Sequence, residues 1–366
     1  MNRKQFLMVL LALAIVGEAG LILIHRNQNT WMGHEVKAGD RVLPGFRMND
    51  VSVIHVRGNG DDFNVIHTND IWRVQERNDY PADFALIRDF LLKVRDLRVV
   101  QSDLIGPSEL SRLDLEPPGS GTNGATLMEF KNQRGELLGS LLIGKKHLRP
   151  QTGSEPPGLH GLFDGCYVLL PDDPGNALLV SDDLAAASPD PGSWLSQDFF
   201  KAENAKYISL VSPRAADSWE ISRADDSSPW TLSNASPGEA LNGNAASDIS
   251  EILEFAAFDD VARKTPALTA SDGLDNPVVI TALTDHFAYT IKVGRMEANG
   301  DYPITVNVQG NIPDTDPDAA GLRAKLVKEQ ALAPWIFDAG TWMGRILRGK
   351  SALLEQVASE AQSAEK

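Results

Sequence analysis

Hydrophobic and polar positions follow three rhythms along this chain. From Phe6 to Ile24 nearly every residue is apolar, and Glu18 is the only charge. Beyond residue 50, short alternating runs take over, and they recur in the same order about 155 residues later, the mark of an internal duplication. The first copy opens with the alternating run Val51 to Val56, then Phe63 to His67 and Ile71 to Val74; the second opens with Tyr207 to Val211, then Trp219 to Ile221 and Trp230 to Leu232. Period-two alternation broken by turn residues predicts a three-stranded meander in each, ending on a Trp strand.

A helical rhythm follows each meander. Phe84, Ile87, Phe90, Leu91, Val94 and Leu97 recur at three- and four-residue steps behind the start signals Pro81 and Asp83. In the second copy Ile249, Ile252, Leu253 and Ala256 do the same, with Ser247 as the expected N-cap. Strand patterns then return. Ala125–Phe130 and Leu137–Ile143 flank the turn at Asn132–Gly135, and Val278–Leu283 and Phe287–Val293 flank Thr284–His286, which predicts two hairpins. Tyr167–Leu170 with Ala177–Val180 closes the first copy, and Ile304–Val308 supplies part of the same feature in the second. The last stretch, Gly321 to Val357, reads as helical with an interruption at Pro334.

These patterns predict an α+β fold: an N-terminal transmembrane helix, then two tandem repeats of an antiparallel sheet packed with one main helix. The expected organisation is 1–26 for the cytoplasmic N-terminus and anchor, 40–184 for the first repeat and 185–205 for a linker. The second repeat with its C-terminal helix takes 206–357, and 358–366 forms a polar tail.

At 1.5 Å per residue, the 19 residues from Phe6 to Ile24 make a helix of roughly 28 Å, about the thickness of a bilayer's hydrocarbon core. Arg3 and Lys4 precede it, so the positive-inside rule puts the N-terminus in a bacterial cytoplasm and the body in the periplasm or outside. Gly17–Gly20 also offers the small residues of a cleavage site, but the apolar run resumes at Leu21–Ile24, which favours a retained anchor. Ala14, Gly17, Glu18 and Leu21 share one helix face, a candidate contact for a partner's membrane helix; the competing reading has Glu18 reaching for the outer interface.

Charge changes the picture outside the anchor. The chain carries 34 Lys+Arg against 50 Asp+Glu, a net −16, and removing residues 1–26, with three basic residues and one acidic, leaves −18. Such a body repels nucleic acid and anionic headgroups alike. The single cysteine, Cys166, allows no intramolecular disulfide and no Cys-based zinc cluster.

Several residues and motifs together resemble a known family. Trp72-Arg-Val, Tyr80-Pro-Ala-Asp83, Phe90-Leu-Leu, Leu97, Leu113-Asp-Leu-Glu-Pro117, Leu142-Ile-Gly144, Tyr167-Val-Leu and Trp194-Leu-Ser follow one another as in the family called domain of unknown function 4340. The resemblance covers roughly Leu43 to Leu354 and is clearest before residue 211. It implies a short membrane anchor before a β-rich body. It also implies an accessory role beside ABC transport systems of the gliding-motility type, and it carries no catalytic residue to any position here.

Chemical motifs are few. Gly139 to Lys146 has the GxxxxGK spacing but apolar strand residues between its glycines and Lys where Ser/Thr belongs, so it is not a phosphate loop. Asp314, Asp316 and Asp318 alternate as in a calcium loop, yet Gly321 comes late and Lys325 stands where a closing Glu is needed; a solvated acidic loop is the better reading. The seven histidines lack metal-ligand spacing, although His55 and His67 could meet across a hairpin. Cys166 reads as a packing residue rather than a nucleophile, with His160 nearby, and no GxSxG elbow exists. Trp72, Trp194, Trp219 and Trp230 belong to the cores. Trp335 and Trp342, in an apolar and basic stretch ending at Arg348, are expected to dock on the second repeat, with a partner-facing patch as the alternative.

The resulting expectation is a non-enzymatic, cofactor-free, membrane-anchored binding or scaffold protein. Its expected partners are the membrane and the permease or ATPase subunits of an ABC transporter, not nucleic acid. Two alternatives stay open: a hydrolase of envelope polymers using paired carboxylates, and a periplasmic ligand sensor.

Overall fold

The computed structural model describes residues 37–120, 124–148, 163–233 and 235–355; the run Phe6–Ile24 and its face of Ala14, Gly17, Glu18 and Leu21 lie outside them. Among the described residues no helix is long and apolar enough to cross a membrane. The chain divides into two compact units, the first reaching to Glu76 and taking in Pro81–Trp194, the second made of Arg77–Tyr80 and the chain from Leu195 onward. The boundary at Trp194 falls within the expected linker 185–205, whose Trp194, Leu195, Phe199 and Phe200 are all buried.

The first sheet comprises β1 (Val53–Arg57), β2 (Asp62–Thr68), β3 (Ile71–Val74), β4 (Tyr80–Pro81), β5 (Val99–Leu104), β6 (Thr126–Lys131), β7 (Leu137–Leu148), β8 (Phe163–Leu170) and β9 (Asp173–Val180). They form one sheet in the order β4-β3-β2-β1-β6-β7-β8-β9-β5. Ile54, Val56, Phe63 and Val65 are wholly buried while their strand neighbours are not, which is the expected result of alternating polarity on a half-covered antiparallel sheet. Helix α1 (Phe84–Asp96) covers that face with Ile87, Phe90, Leu91 and Val94. Asp83 caps it as expected, its carboxylate accepting from the Leu86 N–H at 3.0 Å. Phe90 meets the edge of Trp194 at 5.6 Å, and the indole N–H of this fully buried Trp donates to the Ser188 carbonyl.

The second unit holds β10 (Tyr207–Val211), β11 (Trp219–Ser222), β12 (Thr231–Leu232), β13 (Asp260–Arg263), β14 (Val278–Leu283), β15 (Phe287–Val293), β16 (Tyr302–Gly310) and β17 (Trp335–Ala339). Their order is β12-β11-β10-β14-β15-β16-β17-β13. Apart from β4, this is the strand order of the first sheet: a meander, then a strand sent to the far edge, then a second meander filling the gap. Its helices are α2 (Gly243–Glu254), α3 (Pro266–Ser271), α4 (Ala319–Gln330) and α5 (Trp342–Ile346).

Three sequence expectations need correction. The stretch from Gly321 is not one broken helix: α4 ends at Gln330, and Trp335–Ala339 is strand β17 between β16 and β13. Trp335, Ile336, Phe337 and Ala339 are all buried, so the run shows no alternation, and an apolar run without period fits strand and helix equally well. The N-cap of α2 is Asn242, whose side chain accepts from the N–H groups of Asn244 and Ala245, rather than Ser247. Strands β5 and β13 were not foreseen; each is an edge strand paired with a strand far along the chain.

Sheet edges offer little to an incoming strand. The terminal strands β4 and β12 are two residues long and β13 is four. On β5 the register shifts between Val99 and Gln101, a bulge that spoils regular pairing, and Val99 exchanges both backbone hydrogen bonds with Gly39 and Asp40.

Candidate functional site

Most of the residues singled out for chemistry have structural partners. Gly139–Lys146 lies within β7, so its glycines cradle nothing. Cys166 is fully buried; its thiol donates to the Asp182 carbonyl, and burial, helped by Asp182 and Asp183, pushes its pKa up to about 12, far from a nucleophile's range. His55 and His67 do not meet, because the register sets Asn64 opposite His55. His55 instead spans two carboxylates, Glu129 at 2.9 Å and Asp62 at 2.7 Å, and His67 stacks on Trp72. Asp314 pairs with Arg323, and Asp316 sits 3.2 Å from His286. Among the described residues no three His, Cys, Asp or Glu side chains are placed to hold a metal ion.

The apolar and basic stretch of the C-terminal region divides. Trp335 enters the core, whereas Trp342 and Arg345 line one wall of an open groove of about 400 Å³ on the second unit. The other wall is α2, whose Ala246, Ile249 and Leu253 face inward while Asp248, Ile252 and Phe255 lie one helical turn apart on the outside. The Trp342 indole N–H donates to the Ala257 carbonyl at 3.1 Å, which fixes the ring against the C-terminal end of α2. Arg345 pairs with Asp248 at 3.2 Å, and Phe255 is 69% exposed. The groove continues into a smaller depression floored by Ile249, Ile346 and Leu353 and rimmed by Arg348, which has no ion-pair partner among the described residues. An exposed Phe and a half-buried Trp beside Arg, with an apolar floor, is the composition of a protein-binding hot spot.

A second feature, a carboxylate cluster, was missed from the sequence. The β13/β17 register sets Asp260 directly opposite Asp338. Burial raises the Asp338 carboxyl to a pKa of about 7, with further pressure from the like charges of Glu297, Asp260, Asp301 and Asp272. Glu297 is itself raised, first by burial and then by Asp272 and Asp301. Arg77 donates to Asp260 at 2.6 Å, and Arg295 donates to the carbonyls of Ala270 and Ser271. A carboxyl that holds its proton near neutrality can donate that proton, the property a general acid needs. The sequence signal was a lone Asp inside an apolar run. It becomes readable only once the run is known to be a strand.

The remaining quoted motifs do packing work. Leu115 of the Leu113–Pro117 segment is fully buried in a cluster with Ala125, Leu142, Leu169 and Ala177, and that segment lies across Gly144 of β7. A family model described as domain of unknown function (DUF4340) matches residues 72–277, more than half of the chain. The chain belongs to this family. The DUF4340 match runs from β3 through α3 and so includes the α2 wall of the groove, while Trp342, Arg345 and Arg348 lie beyond it. No curated protein and no solved structure matches the chain.

Proposed function

We propose that this chain is a membrane-anchored, extracytoplasmic binding or scaffold protein, two tandem α+β repeats behind a single N-terminal span, acting as a non-catalytic accessory of an ABC-type transport complex. The observation that carries the binding role is the α2/α5 groove, where Phe255, Ile252 and Trp342 stay accessible beside Arg345 and Arg348. The anchor rests on the run Phe6–Ile24, and the acidic body suits a domain held off an anionic bilayer. Short or bulged sheet edges turn the contact toward the groove rather than strand addition.

The test is affinity purification of the full-length protein from its native membrane in mild detergent, with Phe255→Ala/Trp342→Ala and Glu18→Leu variants alongside. The expected result is stoichiometric recovery of an ABC permease and ATPase with the parent chain and a drop of about tenfold or more in the groove variant, since two hot-spot residues are each worth roughly 2 kcal/mol. Loss in Glu18→Leu alone would put the contact in the membrane. Recovery of the protein by itself, where other envelope complexes survive, would end the accessory reading.

One observation favours a second reading, an envelope-polymer hydrolase. Asp338 is a carboxyl with a pKa near 7 among other carboxylates. It requires release of new sugar ends from purified envelope polysaccharide, abolished in Asp338→Asn.

A further inference from the structure

Helix α4 is attached to its sheet in an unusual way. Glu329 is its only buried residue, at 4% exposure, while Val327 is 69% exposed. One oxygen of the Glu329 carboxyl accepts from the Lys201 backbone N–H at 3.1 Å; the other, Oε2, is buried with no hydrogen-bond partner among the described residues. The helix also meets the sheet through Gln330, which donates to the Val308 carbonyl at 3.3 Å, through Leu326, which lies against Gly310 of β16, and through Lys325, whose ammonium lies over the Phe287 ring.

The local charges do not balance if Glu329 is ionised. Lys325 Nζ sits 2.5 Å from Glu203 and 3.0 Å from the Lys201 carbonyl, but 3.8 Å from Glu329. Its ammonium is therefore shared, closer to Glu203 than to Glu329. Lys328 is committed to Asp198 at 2.8 Å. From β15, the Tyr289 hydroxyl donates to the Lys201 carbonyl at 2.8 Å and also faces the Glu329 carboxyl, whose charged form it favours; its one proton serves the carboxylate only by turning away from that carbonyl. At the other end of the helix His286, with Nδ1 buried and unpaired, meets Asp316 through Nε2, a nitrogen that can donate in the neutral or the charged ring. An ionised Glu329 would be a buried charge whose nearest cation, Lys325 at 3.8 Å, is shared with Glu203 and whose Oε2 lacks a hydrogen bond among the described residues, a costly arrangement in a protein.

We propose that α4 is docked by a proton: Glu329 sits on the sheet as the neutral acid, and its ionisation releases α4 together with the Lys201–Glu203 segment. The proton leaves to solvent as pH rises, and no other group need change. Consistent with this, burial holds the Glu329 carboxyl above the usual range even though Lys325 pulls the other way. The inference concerns α4 alone and stands whether or not the groove binds a transporter.

Hydrogen–deuterium exchange of the full chain at pH 5 and pH 8, expressed as protection factors so that intrinsic rates cancel, tests it. Amides of α4 are expected to lose about tenfold or more protection at pH 8 while those of α2, in the same unit, hold. Glu329→Gln, which cannot ionise, should keep α4 protected at both values. Equal protection at the two pH values in the parent chain, or the same loss in Glu329→Gln, overturns the proposal. Should that variant fail to fold, Lys325→Met removes the cation that favours the charged form and must move the release to higher pH; an unmoved midpoint is equally fatal.

Discussion

Replacing Gly144 by Ala is expected to destabilise the first unit by about 2–4 kcal/mol, one of the largest effects available from adding a single carbon. A Cβ built on Gly144 would fall on the Leu113 carbonyl oxygen and come within 2.9 Å of the Asp114 carbonyl and 2.8 Å of the Leu115 side chain. The first two are backbone atoms and cannot swing away. They cannot retreat as a group either, because Leu115 is locked in a fully buried cluster and Asp114 already adopts a left-handed φ of 53° to make the turn. Separating the segment from β7 would strip cover from Leu142 and Leu169, so the cost is paid in lost packing or in a bent strand. Gly135→Ala, in the β6/β7 turn at φ 77° with open space around it, should cost only about 1 kcal/mol and serves as the control. Urea unfolding followed by Trp fluorescence gives both numbers. A Gly144→Ala value within 0.5 kcal/mol of the parent would mean that the Leu113–Pro117 segment is not packed as described.

The second large effect is a pH dependence carried by Asp338. Its folded pKa of about 7 stands above the ordinary carboxyl value of 3.8, so the folded state binds the proton more tightly than the unfolded chain does. Stability from this group is therefore complete below pH 4 and is lost as pH rises through 7. The shift corresponds to something on the order of 2–4 kcal/mol once partial exposure is allowed for. Glu297 and Glu329 are raised as well, so their slopes run in the same direction. Asp338→Asn separates the contributions: it should be more stable than the parent at pH 8, similar at pH 4, and visibly flatter between them. Parallel stability curves for parent and variant would show that Asp338 is solvated and ordinary. Because Asp260 lies directly across from Asp338, the same measurement reports how firmly the edge strand β13 is held.

Much of the architecture was legible because local signals agreed with the final environment. The two opening meanders, the two hairpins and α1 with its Asp83 cap all come from short-range patterns in which one face is buried and the other wet. Such patterns leave a period in the sequence. β17 leaves none, since four of its five residues are buried, and an apolar run without a period fits a helix as well as a strand. β5 and β13 are short and carry polar residues, and each becomes a strand only by pairing with β9 or β17, whose residues lie about 75 positions further along the chain.

The functional features divide along the same line. By itself the sequence determined the acidic composition, the duplicated order of elements and the family, since each depends on composition or on contiguous residues. Tertiary structure alone decided that Trp342 faces a groove while Trp335 is core, that Asp338 stands among four other carboxylates, and that Glu329 is buried while Lys328 beside it is in water. Burial and charge balance depend on neighbours contributed by distant segments. An Asp or Glu has the same letter whether solvent or a sheet surrounds it, and only the fold sets how much its charge costs.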